Sequence, residues 1–245
     1  MKYTKRHLRS WMRSPRYYLH KTRERLFGIN ADFFKKNREL YPVGSMEWLA
    51  LTETLYGGVQ VGGVSSETNQ GGDRMSPYHH GYGRGYAEFL KPFISATARR
   101  RLTLVEVGIL NGSGLAIWCD LFPAARVLGF DIDLSNFQTN RKNLENMGAF
   151  KKNAPEVYSF DQLDPIKAGE VLRNTLGENR IDIAIDDGCH SRESVEITFK
   201  QVRPFLAKEF VYFIEDNFDT YDWLAHYYRE YYWTTRGEIA IATSK

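Results

Sequence analysis

Residues 102–121 read LTLVEVGILNGSGLAIWCDL, and this stretch decides the fold. Its first seven residues form an apolar run that ends at Gly108, which predicts a short buried strand, and residues 113–121 are predicted to be helical. Gly108, Gly112 and Gly114 are spaced as GxxxGxG. Glycine lets the backbone approach a ligand closely, and a helix N-terminus favours a carboxylate or a phosphate. The stretch therefore indicates a strand–loop–helix unit for a nucleotide-like ligand, without the GxGxxG spacing of a dinucleotide site.

The same alternation of strand and helix continues to the end of the chain. Further strands are predicted at 125–133, 156–160, 181–188 and 209–216, helices at 135–147, 165–176, 191–206 and 220–230, and a closing hairpin at 231–243. The helix at 191–206 is expected to be interrupted near Pro204. Continuous apolar strands that alternate with helices indicate a mainly parallel sheet with helices on both faces. We therefore predict a doubly wound, Rossmann-like α/β fold with an antiparallel hairpin at its C-terminal end.

The chain is predicted to contain three segments, two of which precede this pattern. They are a basic helical extension at 1–56, a Gly-rich lid loop with a lead-in helix at 57–100, and the main ligand-binding domain at 101–245. In the extension, Pro15 separates two short helices, and Ser45 is a candidate N-cap for a helix at 45–56. The lead-in helix is predicted at 84–97. A polar loop as long as the one between them is usually functional.

The composition is that of an ordinary soluble domain. Apolar residues make up 42% of the chain and charged residues 26%, and no apolar run is long enough to cross a membrane. The N-terminus lacks the apolar core and cleavage site of a secretory signal. Cys119 and Cys189 predict neither a disulfide framework nor a CxxC metal motif. We therefore expect a cytoplasmic protein.

The charge is distributed unevenly along the chain. Residues 1–38 contain twelve Lys and Arg but two acidic residues, a net charge of +10, whereas the rest of the chain carries −7. A basic arm of this kind can bind a lipid surface, a phosphate-bearing glycan or a nucleic acid. It can equally be a solvated helix that packs on its own acidic domain, or on a second subunit of a homo-oligomer. No aromatic RNA-stacking motif accompanies the arm, so nucleic acid is the least favoured partner.

Acidic residues follow the ends of several predicted strands. They are Glu106, Asp131, Asp133, Asp161, Asp186, Asp187, Glu215 and Asp216. The carboxyl ends of parallel strands meet at one edge of a sheet, where ligands bind. Carboxylates gathered there repel one another unless cations lie between them. We therefore expect this edge to bind positive ligands, and both a sulfonium group and a divalent metal ion meet that requirement.

The strand–loop–helix unit resembles motif I of class I methyltransferases, which implies S-adenosyl-L-methionine as the cofactor. By that resemblance Glu106, Gly108 and Gly112, with Ser113 beside them, surround the methionine part of the cofactor. The loop joins a strand to a helix, as a nucleotide loop should.

Two further strand ends complete the predicted cofactor site. Asp131, at the end of the second strand, can hold both ribose hydroxyls. Asp133 is the close alternative, although Asp133 or Ser135 can instead cap the following helix. In this fold Asp161 and Gln162 face the adenine. The fourth strand adds one more predicted cofactor-binding residue, Asp186.

Two neighbouring strand ends predict a metal site. Asp187 follows the fourth strand, and Glu215 and Asp216 follow the fifth, so their oxygens can share one hard cation such as Mg²⁺. His190 can stand beside the cation as a general base, since an imidazole titrates near neutral pH. Alternatively, His190 starts a helix and bonds a backbone carbonyl. Glu215 and Asp216 can likewise cap a helix or pair with an arginine. The candidate arginines are Arg192 and Arg203.

Two motifs resemble those of a more specific family. DDGCH at 186–190 and IED at 214–216 resemble the DDGSH and IED pattern of metal-dependent sugar O-methyltransferases of the mycinamicin and macrocin type. Weaker matches to the same family lie at GDR (72–74), HHGY (79–82), Tyr86 and DQLD (161–164). The sequence departs from the pattern where Cys189 stands for serine, Arg74 for lysine and AKE (207–209) for Pro-Gly-Gly.

The resemblance implies a class I methyltransferase fold, a reaction and a set of roles. Asp187, Glu215 and Asp216 are implied to bind Mg²⁺ or another divalent cation. His190 is implied to take the proton from a sugar hydroxyl that receives the methyl group. We expect the lid loop (residues 57–85) to close over cofactor and sugar. Its candidate substrate contacts are Asp73, His79, His80 and Tyr82.

The acceptor is predicted less sharply than the reaction. The basic arm suggests a sugar carried on lipid phosphate, with the protein peripheral at the inner membrane face. Two other classes stay open. One is a catechol-type or other small-molecule O-methyltransferase with the same metal, and the other is a non-catalytic RNA- or anion-binding protein on the same fold.

Overall fold

The computed structural model describes residues 31–57, 74–75, 80–97, 100–217 and 219–245. The helices are α1 (Ala31–Arg38), α2 (Met46–Gly57), α3 (Gly83–Ala96), α4 (Ser113–Leu121), α5 (Ser135–Met147), α6 (Pro165–Leu176), α7 (Arg192–Val202) and α8 (Thr220–Tyr227). The strands are β1 (Thr103–Val107), β2 (Arg126–Asp131), β3 (Glu156–Ser159), β4 (Ile181–Asp186), β5 (Leu206–Ile214), β6 (Tyr232–Arg236) and β7 (Ile239–Thr243). The helices predicted on either side of Pro15, and most of the lid loop, lie outside the described residues.

One sheet, built from the seven strands of the described residues, organises the fold. The strand order is β3-β2-β1-β4-β5-β7-β6. Strands β1 to β5 run parallel, and β7 runs antiparallel to both of its neighbours. The strand order reverses between β1 and β4, which is where ligands bind in a doubly wound sheet. The predicted α/β fold with its antiparallel hairpin is confirmed.

The register of neighbouring strands decides which loops meet at the carboxyl edge. Val107 of β1 pairs with Asp186 of β4, and Asp186 pairs with Ile214 of β5. Backbone hydrogen bonds continue this alignment beyond the strands. Asp187 N donates to Val107 O at 2.8 Å, and Glu215 N donates to Asp186 O at 2.9 Å. The loops after β1, β4 and β5 therefore begin side by side.

Both faces of the sheet are buried, as its continuous apolar strands require. Successive side chains of a strand point to opposite faces, so Leu104 of β1 lies in one core and Val105 lies in the other. The first core is completed by helices α2, α3, α4 and α5, and the second by α6, α7 and α8.

Helix α2 lies inside the first core. Ser45 Oγ accepts a hydrogen bond from Trp48 N at 3.2 Å, which confirms the predicted N-cap. Asp120 of α4 accepts hydrogen bonds from Tyr56 at 2.6 Å and from Arg38 at 2.7 Å, which join α1 and α2 to the main domain. Residues 31–57 thus pack against the sheet-bearing domain, and the predicted boundaries at 56 and 100 stay predictions.

Several predicted element ends are corrected by the structure. The helix predicted at 191–206 is interrupted near Pro204 as expected: it ends at Val202 and continues as a 3-10 turn through Phe205, because Pro204 has no N–H to continue the helix. Leu206 instead begins β5. The strands predicted at 125–133 and 209–216 end at Asp131 and Ile214. The strand predicted at 181–188 ends at Asp186, so the next two residues already belong to the loop at the carboxyl edge. No helix among the described residues has the length and apolar character needed to span a bilayer.

Gly112 offers a test of how tightly the glycine loop packs. Gly112 and Gly148 both have left-handed backbones, with φ of 78° and 102°. A Cβ on Gly112 would lie 2.3 Å from the Phe137 ring, whereas one on Gly148 would lie 3.4 Å from the flexible end of Lys35. We expect Gly148→Ala to lower the free energy of unfolding by about 1 kcal/mol and Gly112→Ala by about 3 kcal/mol. Urea unfolding measures both values, and equal losses would contradict the packing argument.

Asp186 predicts a pH dependence of stability. Its carboxyl is buried at the end of β4, and burial raises its pKa to about 7, although hydrogen bonds from Gln162 and Gly188 oppose the shift. A pKa raised on folding gives stability that is present below the unfolded pKa and is lost as pH rises toward 7. Relative to Asp186→Asn, the wild-type free energy of unfolding should fall by on the order of 4 kcal/mol between pH 4 and pH 7.5. Parallel pH curves for the two proteins, measured with chelator present, would contradict this.

Candidate active site

One buried guanidinium, that of Arg74, binds three of the predicted acidic residues. Its Nη1 lies 2.7 Å from Glu106 Oε1 on β1, and its Nε lies 2.9 Å from Glu215 Oε2 after β5. Its Nη2 donates to Asp187 Oδ2 after β4. The carboxylates therefore meet at one edge of the sheet, as the sequence indicates, and a cation of the protein itself lies among them.

The charges in this cluster depend on one another. Burial raises the pKa of Glu106, Asp187 and Glu215, and the charge of Arg74 opposes that rise. Burial alone would lower the pKa of Arg74, but the surrounding carboxylates outweigh it and raise that pKa. Sequence reasoning recorded Arg74 as a departure from a family pattern and missed this role. A residue in an irregular loop has no periodicity that would place it beside a strand end.

Residues of the lid loop also hold Asp216. The hydroxyl of Tyr82 donates to Asp216 Oδ1 at 2.6 Å, and Asp216 N donates to that hydroxyl at 3.1 Å. His80 Nδ1 lies 3.0 Å from the same carboxylate oxygen. Burial raises the pKa of Asp216, but hydrogen bonds from His80 and Tyr82 outweigh burial and lower the pKa to about 2. Asp216 is therefore ionised at neutral pH.

Asp187 and Asp216 each have one held oxygen and one that faces His190. Asp187 Oδ1 lies 4.0 Å and Asp216 Oδ2 lies 3.8 Å from His190 Nε2, too far for a hydrogen bond. These two oxygens and His190 Nε2 lie within 4.8 Å of one another. Oxygens on opposite sides of Mg²⁺ lie about 4.2 Å apart, since each bond is about 2.1 Å long. The two carboxylate oxygens therefore fit one divalent cation, with the imidazole beside it.

The backbone is strained on both sides of these atoms. His190 and Asp216 have positive φ angles of 56° and 53°, a conformation that costs a non-glycine residue about 1–2 kcal/mol. The side chain of Asn217 donates to His190 O at 2.7 Å and ties the two strained loops together. Strain that the surroundings maintain is a feature of functional sites. The carbonyl of His190 is thus bonded, while its imidazole is left to face the carboxylates.

Asp131 shapes the predicted cofactor loop. Its Oδ2 accepts hydrogen bonds from Ile109 N and Leu110 N, both at 2.9 Å, and its Oδ1 accepts from Asp133 N at 3.1 Å. Gly108 has a φ of 84°, and a Cβ there would lie 2.1 Å from Asp187 O. Glycine is therefore required at position 108, where the loop after β1 passes close to the loop after β4. Whether Asp131 also holds a ribose stays a prediction.

The other predicted cofactor contacts have local roles as well. Gly112 is the N-cap position of α4, and Ser113 is the first residue of that helix. Asp133 accepts hydrogen bonds from the backbone and hydroxyl of Ser135, both at 2.9 Å, but Leu134 holds the N-cap position of α5, so neither Asp133 nor Ser135 is the N-cap that the sequence suggests. Asp161 accepts from Leu163 N at 2.9 Å. Their contacts with a cofactor stay predictions.

Gln162 joins the loop after β3 to the loop after β4. Its amide nitrogen donates to Asp186 Oδ1 at 2.9 Å and to Thr198 Oγ1 at 2.8 Å, and its oxygen accepts from Cys189 N at 2.8 Å. A Cβ on Gly188 would lie 2.0 Å from that oxygen. These bonds fix the backbone just before His190, and the predicted adenine contact of Gln162 stays a prediction.

Buried acidic oxygens at this edge fit a cationic cofactor. Among the described residues, Glu106 Oε2 and Asp186 Oδ2 are buried without a hydrogen-bond partner. An unpartnered buried polar atom is unfavourable, so a ligand that brings positive charge or donors would stabilise it. Gly114 lacks the Cβ that would lie 2.2 Å from Glu106 Oε1. A sulfonium cofactor with an ammonium group therefore suits this edge.

The remaining predicted residues are placed as follows. Asp73 and His79 lie outside the described residues. Arg192 lies over the Trp223 ring at 4.8 Å, and Arg203 pairs with Glu230 at 3.0 Å. Neither arginine pairs with Glu215 or Asp216 after β5, and Glu215 pairs with Arg74 instead. The role of Glu215 as a metal ligand stays a prediction.

Comparisons with known proteins add one curated relative and many solved structures. No protein-family model matches the chain. The chain is 28% identical over 146 residues to 8-demethyl-8-alpha-L-rhamnosyl tetracenomycin-C 2'-O-methyltransferase of Streptomyces olivaceus, which covers 56% of this chain and 33% of the relative. The chain thus spans about a third of that relative's length.

The structural matches have low sequence identity. The MycE methyltransferase in complex with Mg, SAH and mycinamycin VI superposes with a TM-score of 0.51 at 16% identity, over 67% of this chain and 49% of that one. The Bacillus cereus O-methyltransferase in complex with SAH gives a TM-score of 0.50 at 14% identity, over 64% and 80% of the two chains. Together with the strand order, this likeness shows that the chain has the class I methyltransferase fold.

Proposed function

We propose that the chain is an S-adenosyl-L-methionine-dependent O-methyltransferase that uses a divalent cation and acts on a sugar hydroxyl. The observation that carries the proposal is the convergence of Asp187 Oδ1 and Asp216 Oδ2 on His190 Nε2 at the carboxyl edge of the sheet. Two acidic oxygens and an imidazole nitrogen are what a hydroxyl needs to become a nucleophile near neutral pH.

The comparisons support this proposal. MycE was crystallised with Mg, SAH and mycinamycin VI, and the Streptomyces olivaceus relative is a rhamnosyl 2'-O-methyltransferase. The two motifs that resemble sugar O-methyltransferases, DDGCH and IED, contain the residues that meet in the structure. Because the chain spans a limited part of both proteins, their reactions are transferred here as a proposal.

The cofactor would lie against the loop after β1. Gly108 lets that loop pass close to the loop after β4, Gly112 lets it pack on Phe137 of α5, and Asp131 holds its backbone from the end of β2. Glu106 would face the positive end of the cofactor with its unpartnered oxygen. When bound, S-adenosyl-L-methionine supplies an electrophilic methyl group on a cationic sulfur. The protein's part is to hold this loop, and with it the methyl donor, in line with the acceptor oxygen.

Asp187 and Asp216 would hold the divalent cation through the oxygens that face His190. When bound, such a cation makes a coordinated hydroxyl more acidic. His190 Nε2 would accept the proton of that hydroxyl. Tyr82 and His80 orient Asp216, and Arg74 orients Asp187, so residues of the lid loop set the direction of both carboxylates.

The basic segment at 1–38 supports a finer proposal about the acceptor. The net charge of +10 in this segment would attract the protein to a membrane surface, where the acceptor would be a sugar carried on lipid phosphate. The described part of the segment is α1, where Lys36 is exposed.

A test of the base compares two histidines. We expect His190→Gln to lower kcat by about 10²- to 10⁴-fold, because proton removal is lost, while the affinities for S-adenosyl-L-methionine and Mn²⁺ stay unchanged. His226→Gln, at an exposed position on α8, is the matched control and should keep full activity. Calorimetry measures binding, and a methyl-transfer assay measures kcat. Full turnover by His190→Gln would rule out the proposed base.

A test of the reaction class varies acceptor and metal. With S-adenosyl-L-methionine and Mg²⁺ we expect methylation of a rhamnoside but not of catechol, loss of turnover with excess chelator, and recovery on adding Mg²⁺. Preference for catechol would refute the sugar acceptor, and full turnover with chelator would refute the metal.

In the same assay, a glycoside on lipid phosphate in anionic vesicles should show a lower KM than the free glycoside, and added salt should remove the difference. Equal KM values would refute the lipid-linked acceptor.

A further inference from the structure

The carboxylates at the sheet edge fall into an inner and an outer group. The inner group is Glu106, Glu215 and Asp187 Oδ2, and all three contact the guanidinium of Arg74. The outer group is Asp187 Oδ1 and Asp216 Oδ2, which face His190. Asp187 belongs to both groups through its two oxygens. The side chain of Arg74 is 12% exposed, so the guanidinium lies deep in the inner group.

Glu215 has no free oxygen for a metal ion. Its side chain is buried, its Oε1 accepts a hydrogen bond from the hydroxyl of Tyr86, and its Oε2 pairs with Arg74 at 2.9 Å. Binding a metal ion would require Glu215 to give up one of these contacts and would bring a second positive charge beside the guanidinium. Its neighbour Asp216 is different, because both contacts from the lid loop go to Oδ1 and leave Oδ2 open.

We infer that Arg74 is the fixed internal cation of this edge and confines a divalent ion to the outer oxygens of Asp187 and Asp216. Glu215 is then a positioning residue that holds Arg74, in place of the metal-ligand role predicted from the sequence. This inference rests on the metal-dependent part of the proposed function.

The shape of the guanidinium accounts for its place here. Arg74 directs Nε, Nη1 and Nη2 toward three carboxylates that come from three different strand ends. A lysine ammonium is a compact point charge without this planar fork, so it cannot reproduce the three directions. The face of Trp118, 5.9 Å from the guanidinium carbon, adds a further favourable contact.

The inference is tested by Mn²⁺ binding to the whole protein without methyl donor, measured by calorimetry. Asp216→Asn should weaken Mn²⁺ binding by about tenfold or more, because a ligand is lost. Glu215→Gln should change it by less than about threefold, because the inner group binds Arg74 and the outer oxygens remain. Equal weakening in the two variants would overturn the inference.

Arg74→Met gives a second, independent readout in thermal unfolding. The variant should unfold at a lower Tm, because three carboxylates lose their counter-ion, and Mn²⁺ should raise that Tm more than it raises the wild-type Tm. The matched control is Arg100→Met, which breaks the ion pair of Arg100 with buried Asp182 at the opposite end of β4. Mn²⁺ should not rescue this control. An equal Mn²⁺ response of Arg74→Met and wild type would overturn the inference.

The inference and the proposed function can fail separately. If Mn²⁺ binds Arg74→Met but not the wild-type protein, Arg74 is the internal cation, but both metal-assisted catalysis and the placement of a divalent ion on the outer oxygens are refuted. If Mn²⁺ binds neither protein, the inference is overturned too. If Arg74→Met does not fold, the comparison of Glu215→Gln with Asp216→Asn decides the question alone.

Discussion

The structure depends on one electrostatic constraint, which is that parallel strands deliver their acidic ends to a single edge. Glu106, Asp187 and Glu215 come from three strands that are neighbours in the sheet, and their mutual repulsion must be offset for the edge to form. The guanidinium of Arg74 offsets part of it from inside the protein. One positive charge among three carboxylates, of which Glu106 and Glu215 are buried, leaves the edge electronegative, and this excess favours both a sulfonium cofactor and a divalent ion.

The same constraint links the lid loop to the chemistry. Arg74 and Tyr82 come from a segment that is far from the strand ends in sequence, yet each holds one oxygen of a carboxylate whose other oxygen faces His190. Arg74 and Tyr82 thus set the direction of Asp187 and Asp216, while the strand ends of the sheet bring the two carboxylates together.

The sequence predicted the fold well because its signals are local and repeated. Apolar strands, helix caps such as Ser45 and glycines at strand ends each reflect contacts within a few residues, and together they indicated the strand–helix order that the structure confirms. The meeting of Asp187, Asp216 and His190 also followed from strand ends alone. Arg74 could not be found in this way, because its three partners are far from it in sequence and are set by tertiary packing.

The predicted cofactor residues show that the residue type at a strand end does not decide whether a side chain binds a ligand or holds a loop. Gln162 stands at a strand end, where a polar side chain suggests a ligand contact, but its amide already bonds Asp186, Thr198 and the backbone of Cys189. Asp133, in the same kind of position, bonds the backbone and hydroxyl of Ser135 at the start of α5. An edge built to bind ligands must also hold its own loops, because a buried polar group without a partner destabilises the fold. The residues most informative about function are therefore those with buried polar atoms left unpartnered, and among the described residues of this edge they include the carboxylates of Glu106 and Asp186.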